Sequence, residues 1–337
     1  KQFTCQQTLP TAGSTILLRM RDRLPESGPR GRMKTAATAA IRIGTRGSAL
    51  ALWQARHVAA LLGALPERPV VEIVTIRTTG DDITDVPLWQ VEGKAFFTRE
   101  LDDALLDGRI DLAVHSLKDL ATSLPPGLVL AAVPGREDPR DALLIRGGEG
   151  DLASLPDGAR VGTSSVRRRA FLRHHRPGLE PVELRGNVPA RVEQLDAGRY
   201  DAIILAVAGL KRLALAGRIT ACLDAEQFPP AAAQGALGLC TRENDTGNRV
   251  LAGAIDDPAA HLEVAAERAF LASLEAGCQV PAGVLARLQG DRLRLNGVLC
   301  EPDGSGWVSD ARQCAAQDAV AAGVALAEAL RQRRGGA

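Results

Sequence analysis

The 337-residue chain is poor in aromatic side chains, which make up 3% of it, and it has almost no excess of either charge, with 41 basic against 40 acidic residues. The first scarcity leaves few stacking platforms for single-stranded nucleic acid. The second removes the broad basic surface of a protein that coats nucleic acid, so any positive site must be local. No apolar run approaches the roughly 18 residues that a membrane-spanning helix needs. The six cysteines, Cys5, Cys222, Cys240, Cys278, Cys300 and Cys314, form no Cys-x-x-Cys pair and have no histidine at zinc-finger spacing. They read as reduced thiols packing as small hydrophobes in a cytoplasmic protein, and no metal site is predicted. Also missing are G-x-x-x-x-G-K-[ST] and a G-x-G-x-x-G after a strand, which argues against a nucleotide ligand.

What is present is an alternation of short β-branched runs with helical patterns. From Ile41 come "IRIG", the helix "SALALWQARHVAALLGAL", "VVEIVTIRT", the helix "FTRELDDALLDG", "DLAVHS" and "LVLAAV". This rhythm predicts a parallel, doubly wound sheet. It restarts with "RVGTS", "VRRRAFLRHH", "PVELRG", "PARVEQLDAG" and "DAIILAV", so two α/β units follow one another. Beyond "FPPAAAQGALGL" a long helical stretch, strand-like "VLARLQGDRLRLNGVLCEPDG" and an alanine-rich helix predict a smaller α+β domain starting near Pro258.

The two α/β units share a device. "IGTRGS" and "VGTSSVR" each put Gly-Thr at a strand end and then serine at a helix N-cap. Such a turn offers backbone N–H groups and hydroxyls to an anion, although ordinary capping uses the same residues. The second loop opens "VGTSSVRRRAFLRHHR", with three consecutive arginines at a helix start, where the helix carries a partial positive charge of its own. An anion is expected to offset them.

Further basic residues fall at other strand ends: Arg185, Asn187 and Arg191 in "ELRGNVPAR", Lys211 and Arg212 in "AVAGLKRL", Lys118 and Asp119 in "HSLKDL". Ligands of open α/β sheets bind beyond the carboxyl ends of the strands, so these residues converge by topology. Several separate guanidinium groups suit several separate carboxylates, each gripped through two parallel hydrogen bonds. The predicted ligand is a small polycarboxylate.

In order and spacing, "RIGTRGSALALWQA", "AVHSLKDL", "REDPRDALL", "VGTSSVRRRAFL", "LRGNVPARVEQL", "DAIILAVAGLKRL" and "EAGCQVPAG" resemble the porphobilinogen deaminase (hydroxymethylbilane synthase) family over roughly residues 40 to 330. The resemblance implies two periplasmic-binding-protein-like doubly wound domains, residues 38–134 with 236–253 and residues 140–229, plus a smaller C-terminal α+β domain, residues 258–337. Residues 1–37 stand outside that fold, as upstream or appended sequence or, alternatively, a targeting segment. Only the last would move the protein from the cytoplasm to an organelle.

The implied activity is a transferase reaction of haem and tetrapyrrole biosynthesis, joining four porphobilinogens head to tail with release of ammonia. A dipyrromethane cofactor would be bound covalently, through a thioether, to Cys278. The implied partner is the small-molecule substrate, with no nucleic acid and no membrane, and the protein would be a monomer. Carried over by motif, Lys118, Thr163, Ser165, Arg167 and Arg168 hold the cofactor, while Arg46, Ser48, Arg185, Asn187, Arg191 and Arg212 face substrate. Lys94 and Phe97 belong to a lid, and Asp119 is the catalytic carboxylate. Without the resemblance, Asp119 beside Lys118 reads as a surface ion pair. Arg169, Arg173 and the two histidines have no implied role and read as a solvated helix face. Ala121 stands where proline commonly follows, Gln90 and Glu92 depart from the lid pattern, and Ala233 replaces a common glycine near the "QGALGL" hinge. A non-catalytic anion-binding module would share the two lobes but leaves "EAGCQVPAG" and the third domain unexplained.

Overall fold

A computed structural model of the protein describes residues 40–78, 98–275 and 281–335. Cys278, Lys94, Phe97, Gln90 and Glu92 lie outside these residues. The first sheet contains β1 (Ile41–Thr45), β2 (Val71–Thr75), β3 (Leu112–Ser116), β4 (Leu128–Ala132) and β10 (Leu237–Arg242), in the order β2-β1-β3-β10-β4. The second contains β5 (Asp141–Ile145), β6 (Arg160–Gly162), β7 (Glu180–Val182), β8 (Ala202–Ala206) and β9 (Ala221–Cys222), in the order β7-β6-β8-β5-β9. The third is a meander of β11 (Ala282–Gln289), β12 (Arg292–Leu299) and β13 (Val308–Ala315).

Neither large sheet is wholly parallel, which corrects the expectation drawn from the βαβ rhythm. β10 runs antiparallel to β3 and β4, and β5 runs antiparallel to β8 and β9. The cause is connectivity: each antiparallel strand arrives from the other lobe. The two crossing segments touch where Arg136 bridges Ala236 and the Glu137 N–H donates to the Gly235 carbonyl at 3.1 Å. Gly235 has φ +90°, and a Cβ there would lie 2.2 Å from the Glu137 carbonyl oxygen, so the crossing admits only glycine.

The repeated Gly-Thr turns are built alike. Ser48 caps α1 (Ala49–Gly63) by accepting from the Ala51 N–H, and Ser165 caps α3 (Val166–His175) by accepting from the Arg168 N–H. Their glycines lie close against side chains packed below the turn. A Cβ on Gly44 would meet Ile110 at 2.2 Å, and one on Gly162 would meet Ile203 and Tyr200 at 3.0 Å. Helix α2 (Arg99–Leu106) packs on the first sheet, with Leu101, Ala104 and Leu105 buried. Helices α4 (Val188–Asp196) and α5 (Val207–Arg212) serve the second sheet, and α6 (Thr246–Gly253) packs against β4 and β10.

Helix α7 (Pro258–Glu275) ties the protein together through three rows of side chains at helical spacing. Ala260 and Val264 join the first-lobe core that contains Leu117 and Leu120. Ala266, Phe270 and Leu274 join the core of the three-stranded sheet, with Leu326 and Leu330 of α8 (Ala319–Gly335). Between these rows, Glu263 and Glu267 meet the hinge residue Arg136. Glu267 is fully buried, accepts from Arg136 at 2.8 and 2.9 Å, and also takes the Ala233 and Ala286 N–H groups at 2.7 and 2.8 Å. One carboxylate therefore joins both crossing segments to the third sheet.

Candidate functional site

The carboxyl ends of five strands supply the site. Arg46 and Ser48 sit between β1 and α1; His115 and Ser116 close β3 and lead into a 3-10 turn, Leu117–Asp119. Thr163, Ser165, Arg167 and Arg168 follow β6, Arg185, Asn187 and Arg191 follow β7, and Arg212 ends the helix after β8. Two cavities adjoin, sharing Leu50 and Ser116 in their walls. One, of about 100 Å³, is lined by Arg46, Ser48, Gln54, His115 and Asp119 among others. The other, of about 80 Å³, is lined by Lys118, Arg168, Arg191, Arg212 and Gln234.

The second cavity concentrates positive charge. Burial and the neighbouring Arg168 and Arg185 bring Arg191 down to about 10, and burial brings Arg212 down to about 10. Lys118 is held below its ordinary value by burial first, with Arg168 and Arg167 adding to the effect. Arg191 donates to the Gly186 carbonyl at 2.7 Å and Arg212 to the Gly235 carbonyl at 2.6 Å. Neither forms a salt bridge among the described residues. Arg212 also lies over the Trp53 ring, 5.7 Å from its centroid, and Trp53 stacks on His57.

Two of the consecutive arginines meet an anion inside the protein itself. Asp141, fully buried at the start of β5, accepts from Arg167 at 2.6 Å and from Arg168 at 2.6 and 3.0 Å. The two guanidinium groups hold its carboxyl well below the usual carboxylate range despite burial. Arg167 is turned away from both cavities: it donates to the Pro229 carbonyl at 2.8 Å and lies against Phe171 and Phe228. Arg168 does reach the second cavity, and its guanidinium is 3.5 Å from the Gln234 amide oxygen, which also faces Lys118 at 3.5 Å. Gln234 is oriented by donating to Pro139 and Asp141 at 2.7 and 2.8 Å.

Thr163 is buried beneath the turn and accepts from the Ser165 N–H at 3.2 Å. Asn187 caps α4 through the Ala190 N–H at 3.0 Å. Lys211 is drawn off to Glu137 at 2.7 Å. The outer face of α3, expected to be solvated, keeps His174 exposed but is also partly engaged by neighbouring segments. Arg169 pairs with Glu183 at 3.4 Å, Arg173 donates to the Pro302 carbonyl at 2.7 Å, and His174 stacks on Trp307 with ring centres 4.1 Å apart. His175 meets the Gln227 carbonyl at 2.8 Å. Sequence reasoning missed Asp141, Gln234, Trp53 and His115. His115 is buried in the first cavity wall, where burial and Arg46 push it down to about 4, so it is neutral. Among the described residues there is no group of side chains that could hold a metal ion.

The two α/β lobes turn cations from successive strand ends toward adjoining cavities, an arrangement chemically suited to small polyanions. The third domain and the motifs make the protein more particular. The chain belongs to the porphobilinogen deaminase family: the model "Porphobilinogen deaminase, dipyromethane cofactor binding domain" matches residues 41–249, and "Porphobilinogen deaminase, C-terminal domain" matches residues 261–332. It is 47% identical over 297 residues to the porphobilinogen deaminase of Syntrophotalea carbinolica, covering 88% of this chain and 94% of that one. The enzyme of Syntrophobacter fumaroxidans is 50% identical over 264 residues, covering 78% of this chain and 85% of that one. Among solved structures, the VFT2 domain of Bordetella pertussis BvgS is 16% identical with a TM-score of 0.37, covering 64% of this chain and 86% of that one. The protein is a transferase that condenses porphobilinogen into hydroxymethylbilane in tetrapyrrole biosynthesis, using a dipyrromethane cofactor.

Proposed function

We propose that the two adjoining cavities divide the work of this reaction, and that Cys278 carries the dipyrromethane. The observation behind this reading is the crowding of Lys118, Arg168, Arg191 and Arg212 around one cavity, next to a second lined by Arg46, Ser48 and Asp119. Every pyrrole unit brings an acetate and a propionate. A largely half-buried set of cations with two depressed arginines fits such a ligand, because a bound carboxylate offsets the cost of burial at both and, at Arg191, the repulsion of Arg168 and Arg185.

In this reading Lys118 and Arg168 hold cofactor carboxylates, with Thr163 and Ser165 shaping the turn beneath them. Arg167 contributes from behind by sharing Asp141. Arg185, Arg191 and Arg212 hold the growing chain, with Asn187 fixing the start of α4. Arg46 and Ser48 orient the incoming porphobilinogen, and Lys94 and Phe97 cover it. Loss of ammonia leaves a cationic azafulvene on that substrate, and the exposed Asp119 carboxylate is placed at the cavity to stabilise the positive charge. When bound, dipyrromethane supplies the pyrrole carbon to which the first unit is joined. The protein acts as a cytoplasmic monomer on a free small molecule, without nucleic acid. Its balanced charge and few aromatics support the last point. Among the described residues no helix is long and apolar enough to cross a membrane.

Intact mass tests the assignment. The purified protein is expected to carry two pyrrole units, and Cys278→Ser should lose both the adduct and activity. Serine at Cys5, Cys222, Cys240, Cys300 or Cys314 should leave the adduct in place. An adduct mapped to any of those five would overturn the reading.

A further inference from the structure

The 3-10 turn that carries Asp119 is held at its start, where the Leu117 N–H donates to the Ala236 carbonyl at 3.1 Å. Leu117 and Leu120 are buried pegs on either side, and the Leu120 N–H closes the turn to the Leu117 carbonyl at 3.3 Å. Beyond Leu120 the chain leaves with extended backbone. At that point a guanidinium from another part of the protein takes over. Arg268 of α7 donates to the carbonyls of Leu120 at 3.2 Å, Ala121 at 2.6 Å and Thr122 at 3.1 Å.

Three consecutive carbonyls turned onto one planar group fix the orientation of three successive peptides. The first of them is one residue from Asp119. A guanidinium is suited to this because its five donors are rigidly arranged, whereas an ammonium is a point charge on a flexible stem. The helix position is set as well: Ala260, Val264 and Arg268 follow one another at four-residue spacing, and the first two are buried in the same core as Leu117 and Leu120. Arg268 is thereby placed by packing on both sides. Helix α7 ends at Glu275, three residues before Cys278.

We infer that Arg268 is a positioning residue for Asp119, holding the carboxylate in fixed relation to helix α7. It does not touch the reacting atoms. It sets where Asp119 stands, so that the carboxylate meets the charge formed when ammonia leaves. This rests on the assignment of Asp119 to that role.

The test uses the full-length holoenzyme, with dipyrromethane loading checked by mass and ammonia release followed in single and double variants. Arg268→Met is expected to stay loaded and to lose turnover by roughly 10- to 100-fold, the scale of an ångström-sized misplacement, with KM changed by only a few fold. Arg268→Lys keeps charged donors and should recover part of that loss. The deciding measurement is non-additivity: in an Asp119→Asn background, Arg268→Met should cause little further loss, because the group it positions is already disabled. If Asp119→Asn is severely impaired and Arg268→Met either has normal turnover or multiplies the defect in full, the inference fails while Asp119 keeps its role. If Asp119→Asn turns over normally, the catalytic assignment fails and the inference with it. Should Arg268→Met not fold, the same cycle with Arg268→Lys decides, full additivity again counting against it.

Discussion

Asp141 and Ala233 are the two residues whose settings carry the sharpest consequences for stability. Asp141→Asn would leave Arg167 and Arg168 buried without their shared counter-charge, and breaking a buried pair in this way typically costs about 3–5 kcal/mol. The sign with pH is fixed by the depressed carboxyl. Its contribution is complete above the unfolded value of about 3.9 and is lost as pH falls through the folded value, so the penalty in urea unfolding should be large at neutral pH and shrink in strong acid. An equal penalty throughout would show that shape, not charge, matters at this position. Ala233 has φ +59°, in the left-handed region that a Cβ disfavours, while its N–H is held by Glu267 at 2.7 Å. Ala233→Gly relieves a strain of about 1–2 kcal/mol but adds freedom to the unfolded chain, for a net gain of about 0.5–1 kcal/mol. A small rise in melting temperature is expected, and a fall would contradict it. Both residues show where sequence reading stops. The arginines announce themselves as a run, but their partner stands 26 positions upstream of Arg167 inside the motif "REDPRDALL", where nothing local pairs that aspartate with them. The glycine expected at position 233 was legible only through the family pattern.

Among the elements, α2 carries an unusual first turn. Asp102 is 5% exposed, and burial raises its carboxyl to about 6, opposed only in part by the Thr98 side chain. A carboxyl with a raised folded value keeps its proton in the native state while the unfolded chain has lost it. Stability therefore falls as pH rises from about 4 through about 6, by about 2–3 kcal/mol if the group is buried to this extent. Asp102→Asn removes the ionisation, so it should be nearly neutral at pH 4 and stabilising at pH 8 by urea unfolding. A variant no more stable than the parent at pH 8 would refute the buried, protonated carboxyl. Elements also divide cleanly by how readable they were. β1, β3, β6, β7 and β8, with their helices, follow from βαβ periodicity and end where the site residues stand. β5 and β10 are harder to read because each is a short apolar run beside a hinge, and their antiparallel direction depends on the distant lobe. The outer face of α3 is legible only in part: its row of arginine and histidine is half solvated, and its contacts with Pro302, Gly304 and Trp307 depend on the third domain, more than a hundred residues away in sequence.

At the scale of the whole molecule, the question is how one cleft serves a ligand that grows. Four substrate units carry eight carboxylates and the cofactor four more. The cations at the strand ends that are turned toward the ligand in the proposed arrangement are Arg46, Lys118, Arg168, Arg185, Arg191 and Arg212. Six cations cannot each hold a separate carboxylate of the finished chain, and with a formal net charge of only +1 the remaining surface offers no broad positive field to take the excess. Each guanidinium must then engage different rings in turn as the chain lengthens, while Arg136 and Glu267 keep both crossing segments joined to the third sheet. A cation that serves in turn is needed at particular lengths more than at others. Arg191 is the one to test, because it stands among Arg168, Arg185 and Asp119, and burial together with both arginines lowers it. Arg191→Lys retains a positive charge but loses the two-pronged grip on a carboxylate. If the cations act in turn, this variant should load its cofactor, bind the first unit and then stall, so that brief reaction followed by intact-mass measurement shows enzyme enriched in one intermediate chain length. If they act as a uniform positive wall, every step should slow together, and the distribution of intermediates should match that of the parent.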